Sequence, residues 1–461
     1  MIYILFIGIL LLFFFSYAIF NKNILNPSVI ICSVFLVSTF FSILNIYKWN
    51  INFSIKTVLV VWITLIFFIF GNTTVKLIKF PMKKNYNMSA IYPISLEKIF
   101  LLNIFLMMFL YKYFHDIYDL SLIGGNVEGY RYMLKYAKIA RLNFNTVSKV
   151  SAYGYYIAKS ISYILIYMYS FVVLSTKKYL KYLYLLSPIL IYLAFIFLST
   201  TRTPFIYLII YSLIVYFILY QKFYGFNRKL NRKIIFYSIV GLISFFIAFI
   251  AIGVLSGNRY NYFNIISIYT GSSITALNTF LETFRENSNN YFGENTFIVL
   301  YRILNKLGVN IPRLYPHYEF ITLGNMTTNI YTGIRRYLED FGMLGLLTLM
   351  FLYGQIYGLF FKYICINKKS QFSIILYATF SYPVFMFSID ELFFRELFPM
   401  NLVYDFIFLS LVYYLIISRI KNINKKNRKE VFYERNYSSR GKWDKTSSYH
   451  KSNFKANNTN L

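Results

Sequence analysis

Residues 188–220 read PILIYLAFIFLSTTRTPFIYLIIYSLIVYFILY, and Arg202 carries the single charge in the stretch. Two apolar runs flank Ser199-Thr200-Thr201-Arg202-Thr203-Pro204. With the residues before 188, each run approaches the ~20 residues that a helix needs to cross a bilayer. Pro204 suits the first turn of the second helix, where the N–H it lacks would have no intrahelical partner. The stretch therefore reads as two membrane spans joined by a tight turn.

The same pattern extends outward in both directions. Of 461 residues, 58% are hydrophobic and only 14% charged, about half the charged share of a soluble protein. A soluble core cannot bury that much apolar surface. Eleven spans are expected, at 2–20, 28–47, 57–78, 97–114, 153–174, 180–199, 204–220, 234–255, 342–363, 372–389 and 398–418. The first lacks a basic leader and a small-residue cleavage site, so it reads as a retained span. The expected fold is an all-α polytopic membrane protein of about 11 transmembrane helices. Residues 1–418 form the integral domain, and 419–461 form a basic tail expected to be disordered.

The formal charge is +30. On a soluble chain that excess would suggest nucleic acid. Here it follows the rule that cytoplasmic loops collect lysine and arginine, so no nucleic-acid partner is expected. Lys79, Lys83 and Lys84, then Lys177, Lys178 and Lys181, then Lys222, Arg228, Lys229, Arg232 and Lys233, and finally Lys362, Lys368 and Lys369 follow alternate spans. Placing them inside puts the N-terminus outside and the C-terminus in the cytoplasm. The large outer segments are then 115–152 and 256–341. The first contains an interfacial helix from Glu128 to Asn143. Arg131, Lys135 and Lys138 share one of its faces, and Tyr132, Tyr136 and Ile139 another. The second contains helical stretches near Ile265–Phe284 and Thr296–Leu307.

Sorted by side, the basic residues divide unevenly: ten arginines and eight lysines outside, six arginines and 23 lysines inside. The positive-inside rule accounts for the inner lysines but not for an outer preference for arginine. The planar fork of arginine grips phosphate or carboxylate bidentately. The outer face therefore reads as an anion-binding surface, for which a lipid-linked pyrophosphate has the right depth. The alternative is that these arginines pair with outer carboxylates and fold the loops.

Four places concentrate this chemistry. Arg202 sits in the tight turn at the membrane edge, where a charge is costly and is either functional or snorkelling. Arg259 follows the eighth span in Gly257-Asn258-Arg259. Asn325 to Gly342 leads into the ninth span, with Arg335 and Glu339, and Arg336 and Asp340, as i,i+4 pairs. Asp390-Glu391-Leu392-Phe393-Phe394-Arg395-Glu396 lies between the last two spans, as a lined cavity or as a Glu391–Arg395 helix pair. His317 and Glu319, in Pro316-His317-Tyr318-Glu319, add a lone histidine and a carboxylate. Cys32 and Cys365 lie in or beside apolar spans and read as packing residues. No metal-ligand spacing, nucleotide loop or nucleophile elbow occurs, so neither metal nor cofactor is expected.

From about residue 192 to 365 the chain resembles the oligosaccharide repeat unit polymerases, the Wzy-type O-antigen and capsule polymerases. The resemblance rests on Phe197-Leu198-Ser199-Thr200-Thr201-Arg202-Thr203, on Tyr269-Thr270-Gly271-Ser272 with Ala276-Leu277-Asn278, and on Phe292-Gly293-Glu294-Asn295-Thr296-Phe297. Its strongest part runs from Thr327-Thr328-Asn329-Ile330-Tyr331-Thr332 through Asp340-Phe341-Gly342 to Gly345 and Gly354. It implies an inverting glycosyl transfer at the outer face of the bacterial inner membrane, acting on undecaprenyl-pyrophosphate-linked oligosaccharide. A chain-length regulator and a flippase of the same pathway are the implied partners. Under that reading Arg202, Arg259, Arg335 and Arg336 would stabilise the departing pyrophosphate. Arg131, Lys135 and Lys138 would hold the second lipid pyrophosphate. Asp340, Glu339, Glu319 or His317 would take the proton of the attacking hydroxyl, with Asp340 placed first. A lipid-linked oligosaccharide flippase would place charges through the span centres. An O-antigen ligase shares the arginine chemistry. A membrane acyltransferase would want a paired outer histidine motif, which the sequence lacks.

Overall fold

The structure is a computed structural model. It describes residues 1–79, 91–130, 132–142, 146–225, short pieces of 232–247, 262–283, 291–311, 320–324, 326–366, 371–397 and 400–418. Arg131, Arg259, His317, Glu319, most of the expected eighth span and the tail at 419–461 lie outside the described residues.

The elements are α1 (Ile2–Ile19), α2 (Pro27–Leu44), α3 (Ile46–Trp49), α4 (Ile55–Thr74), α5 (Leu96–Ile123), α6 (Met133–Leu142), α7 (Lys149–Thr176), α8 (Ser187–Ser199), α9 (Thr203–Tyr224), α10 (Tyr262–Thr283) and α11 (Ile298–Lys306). A hairpin of β1 (Ile321–Leu323) and β2 (Met326–Thr328) follows. The chain then continues through α12 (Gly333–Ile366), α13 (Gln371–Thr379), α14 (Tyr382–Met386), α15 (Phe393–Leu397) and α16 (Met400–Tyr413). Among the described residues, seven helical units are long and apolar enough to cross a membrane: α1, α2, α4 with its added 3-10 turn, α7, residues 180–199, α9 and α12. The chain is a helical, multi-pass membrane protein.

Local chemistry sets the helix starts. The Asn26 side chain accepts from the N–H of Ser28, with Pro27 as the first helical residue of α2. Ser54 caps α4 by accepting from the N–H of Thr57, and Ser148 caps α7. At the far end of α4, Lys362 donates to the carbonyls of Val75, Lys76 and Ile78 at 2.8, 3.1 and 2.7 Å. That lysine satisfies terminal acceptors and complements the helix dipole.

Two seams hold the bundle. Along the first, α4 and α12 approach until a Cβ on Gly354 would overlap the Phe68 carbonyl. Small residues allow such close crossings where no hydrophobic drive separates helix from lipid. Gly354→Leu is therefore expected to leave no folded protein after detergent extraction. A wild-type-like gel-filtration peak from this variant would show that the two helices can re-space. Along the second seam, α10 lies on α2 and α4. Ser42 donates to the Gly271 carbonyl at 2.6 Å, and Ser38 meets Ser273 at 3.1 Å. Asn278 accepts from the N–H of Ser54 and the hydroxyl of Thr57, each at 2.8 Å. The Gly271–Asn278 stretch is thus a packing surface.

Several expectations are corrected. Helix α5 runs through Ile123, into the segment expected as loop, and its 28 residues span about 42 Å. Helix α12 starts nine residues before the expected boundary and bends at Gly342 (φ 62°, ψ −167°), in a backbone region open only to glycine. The expected tenth span divides into α13 and α14. The all-α class stands, and the chain adds one short hairpin, in which Ile321, Thr322 and Leu323 pair with Thr328, Thr327 and Met326.

Candidate functional site

The turn between α8 and α9 organises the first cluster. Thr200 ends α8 in the left-handed region (φ 55°), and its N–H reaches the Phe197 carbonyl at 3.1 Å. Ser199 bonds the hydroxyl of Thr201 at 2.6 Å, which tightens the turn. Arg202 is half-buried with its guanidinium 5.6 Å from the centre of the Tyr269 ring. Burial lowers its pKa, while proximity to Tyr269 opposes the shift. The guanidinium stays cationic at neutral pH.

Helix α6 brings two more cations to this turn. It packs with Met133, Ala137 and Ala140 buried, leaving Lys135 and Lys138 exposed. The expected apolar face of Tyr132, Tyr136 and Ile139 is a flank, and the helix starts at Met133 rather than Glu128. Arg141 donates to the Ser199 carbonyl and, at 3.3 Å, to the Tyr113 hydroxyl. Lys138, although its side chain is exposed, has its ammonium held below the ordinary lysine value, first by desolvation from its surroundings and then by the Arg202 charge. An anion beside these cations would relieve the Arg202 charge felt at Lys138. Among the described residues no ion pair involves Lys138 or Arg141. Lys135 lies 5.8 and 5.6 Å from the Tyr132 and Tyr136 rings.

Asp116 frames the cluster from α5. It takes a bond from Lys112 at 2.8 Å and another from the N–H of Ser148 at 2.9 Å. Burial alone would raise its carboxyl, but the bonds from Lys112, Ser148 and Ser151 prevail and hold it at about 2.

The second cluster joins the start of α12 to the turn before α15. Arg335 is 5% exposed. Its Nε donates to Glu339 at 2.9 Å, and its guanidinium lies 4.0 Å from the Tyr331 ring and 5.0 Å from that of Phe280. Arg336 does not pair with Asp340 as expected. It reaches Asp390 at 3.2 Å, which also takes Arg395 at 2.6 Å. The proposed Glu391–Arg395 side-chain pair is also replaced, because Glu391 caps α15. It accepts the backbone N–H groups of Phe394 and Arg395 and the Tyr337 hydroxyl, at 2.9, 3.1 and 2.9 Å. Asp390, Glu391 and Arg395 thus belong to a paired network.

Asp340 pins a loop. Its Oδ1 accepts the N–H and side-chain amide of Asn295 at 3.2 and 3.1 Å, and its Oδ2 accepts the N–H of Thr296 at 2.6 Å. Glu339 is the counterion of Arg335. The two described carboxylate candidates thus have oxygens committed to structure. Arg202 and Lys138 come together, whereas Arg335 lies about 16 Å along α10 from the Tyr269 contact of Arg202.

Sequence reasoning passed over Arg141 as a member of the first cluster. It is three residues from Lys138 and so lies beside it on the helix. Reasoning from spacing also passed over one charge pair inside the helical bundle, Lys159 with Asp405 at 2.6 Å. Among the described residues no His/Cys/Asp/Glu group could hold a metal ion. No family model matches the chain, and no curated protein or solved structure matches it.

Proposed function

We propose that the chain is a membrane glycosyltransferase that polymerises undecaprenyl-pyrophosphate-linked oligosaccharide repeat units, at the outer face of a bacterial inner membrane. The observation that carries this reading is the convergence of Arg202, Lys138 and Arg141 on one turn at the end of two apolar helices. A membrane-anchored anion presents its phosphates at that depth. In the reaction, a hydroxyl of the new unit's terminal sugar attacks the reducing-end carbon of the growing glycan. The carbon–oxygen bond to pyrophosphate breaks, and its electron pair leaves with the phosphate. The cationic cluster stabilises that developing charge. The hydroxyl proton passes to a base, for which Asp340, Glu339, and, outside the described residues, Glu319 and His317 are the candidates. Arg131 and Arg259, outside the described residues, are the further cations of this proposal.

The same reading includes eleven spans with the N-terminus outside. Reporter fusions after Tyr318 are expected to report the outside, and fusions after Lys369 the cytoplasm. A cytoplasmic Tyr318 would overturn the outer placement of every site residue. A second reading, a flippase for the same lipid-linked glycan, is favoured by the Lys159–Asp405 pair between α7 and α16.

The test is the size profile of surface polysaccharide from a strain lacking the gene. Single repeat units alone are expected. Absence of surface glycan, with lipid-linked units retained inside, would favour the flippase, and long polymer stranded on its carrier would indicate a ligase.

A further inference from the structure

Helix α7 carries a polar row inside the bundle. Tyr155, Lys159, Tyr163 and Tyr167 recur every fourth residue, so they form one slowly turning ridge. Lys159 pairs with Asp405 of α16 at 2.6 Å, with side chains only 11% and 13% exposed. The Tyr155 and Tyr192 hydroxyls meet at 3.4 Å, and Tyr163 stacks on Tyr211 with centroids 4.1 Å apart.

Around this pair, polar atoms are buried without a protein partner. They are the hydroxyls of Ser160, Tyr163, Tyr167 and Ser410, and Oδ1 of Asp405. With Ser151, six of the twelve such side-chain atoms among the described residues thus fall on α7 and α16. That clustering argues against scattered imperfections. A dry buried hydroxyl costs roughly 1–3 kcal/mol, and ordered water removes the cost where several polar groups converge. A metal cation is a poorer occupant, because Lys159 already neutralises Asp405.

We propose that the α7 row lines a water-filled inlet that brings solvent to the Lys159–Asp405 pair. It opens at the end where Ser148 meets Asp116, beside the Arg141–Tyr113 contact. From Ser151 to Tyr167 the row descends about 24 Å, against a hydrocarbon thickness of about 30 Å. Below Tyr167 the buried residues Phe171, Val172 and Leu174 close it. The inlet is a hydrated pocket of the bundle and holds whichever function the basic cluster serves.

The test uses the full chain with Cys32→Ala and Cys365→Ala, carrying Ser160→Cys or, independently, Ser410→Cys. Ala158→Cys is the control, two residues from Ser160 and fully buried but without an unpartnered polar atom. Silver ion is added to sealed vesicles, and free thiols are then counted by alkylation in denaturant. Thiols react as thiolates, which need water, so both serine sites are expected to be protected at least about tenfold faster than Ala158→Cys. Protection should arise from the vesicle face that bears Lys138 and Arg202. Equal rates at all three positions, fast or slow, would overturn the inlet, as would protection only from the opposite face.

Discussion

Arg202→Lys is expected to abolish long polymer and to lower repeat-unit transfer by about a hundredfold or more, with the protein still present in the membrane at its normal amount. The magnitude follows from losing one preorganised donor at a developing oxyanion, which costs roughly 10²–10³ in rate. Lysine keeps the charge, so long-range attraction of the substrate survives. It loses the planar fork that lies by Tyr269 and that, on the proposed function, would hold two phosphate oxygens. Assays on purified lipid-linked repeat units, read as product per enzyme, check this. Full transfer by the lysine variant would remove the bidentate argument at this position. Lysine lacks the planar fork, so Lys138→Met should weaken transfer less than Arg202→Lys does.

The arginines divide according to their partners. Arg335, Arg336 and Arg395 each hold a carboxylate at 2.8, 3.2 and 2.6 Å, and for these the pairing alternative accounts for the geometry. Breaking such a half-buried pair leaves a charge without its partner, so a structural role alone makes them sensitive to substitution. Lys138 and Arg141 make no ion pair among the described residues, and the anion argument therefore narrows to the α6 and α8–α9 cluster.

What the sequence made legible, and what it did not, divides along chain distance. Apolar length marked α1, α2, α4, α7 and α9 to within a few residues, because crossing a bilayer imposes length and composition directly. Arg202 was conspicuous as the single charge between two such runs. Its neighbours Lys138 and Arg141 come from some sixty residues earlier, and no spacing rule connects them. Local spacing correctly suggested Arg335 with Glu339. The same rule suggested Arg336 with Asp340, but Asp390, 54 positions away, takes Arg336. Lys159 and Asp405 are 246 apart, so the spans looked almost free of charge until their helices were placed together. The hairpin has strands of three residues, too short for alternation to register. Gly342 could be seen as a glycine, but its role as a bend depends on a backbone angle that the neighbours impose.

Glu391→Ala is expected to cost about 3–5 kcal/mol, since it strands three donors at a buried position. Glu391 is fully buried, and it receives Tyr337, the N–H of Phe394 and the N–H of Arg395. Burial pushes its carboxyl above the usual glutamate range, against the pull of those three bonds, and the adjacent Asp390 pushes it further. The sign of the pH effect follows. A carboxyl raised in the folded state contributes its stability fully below the unfolded pKa and loses it as pH rises through the folded value. The stability of the wild type relative to Glu391→Gln should therefore fall as pH climbs from just below the ordinary glutamate value of 4.5. Glu391→Gln keeps an acceptor for Tyr337 and Phe394 but turns an amide toward the N–H of Arg395, so it should be milder than alanine. Thermal unfolding in detergent across that pH window reads both differences. A wild type that gained stability on Glu391→Gln as pH rose would mean that the three donors outweigh burial and lower the carboxyl. The turn that Glu391 caps also positions Asp390 and Arg395, and Asp390 holds Arg336. If Glu391 acts only through that turn, Glu391→Gln should shift the pH profile of stability while leaving transfer at Arg202 intact.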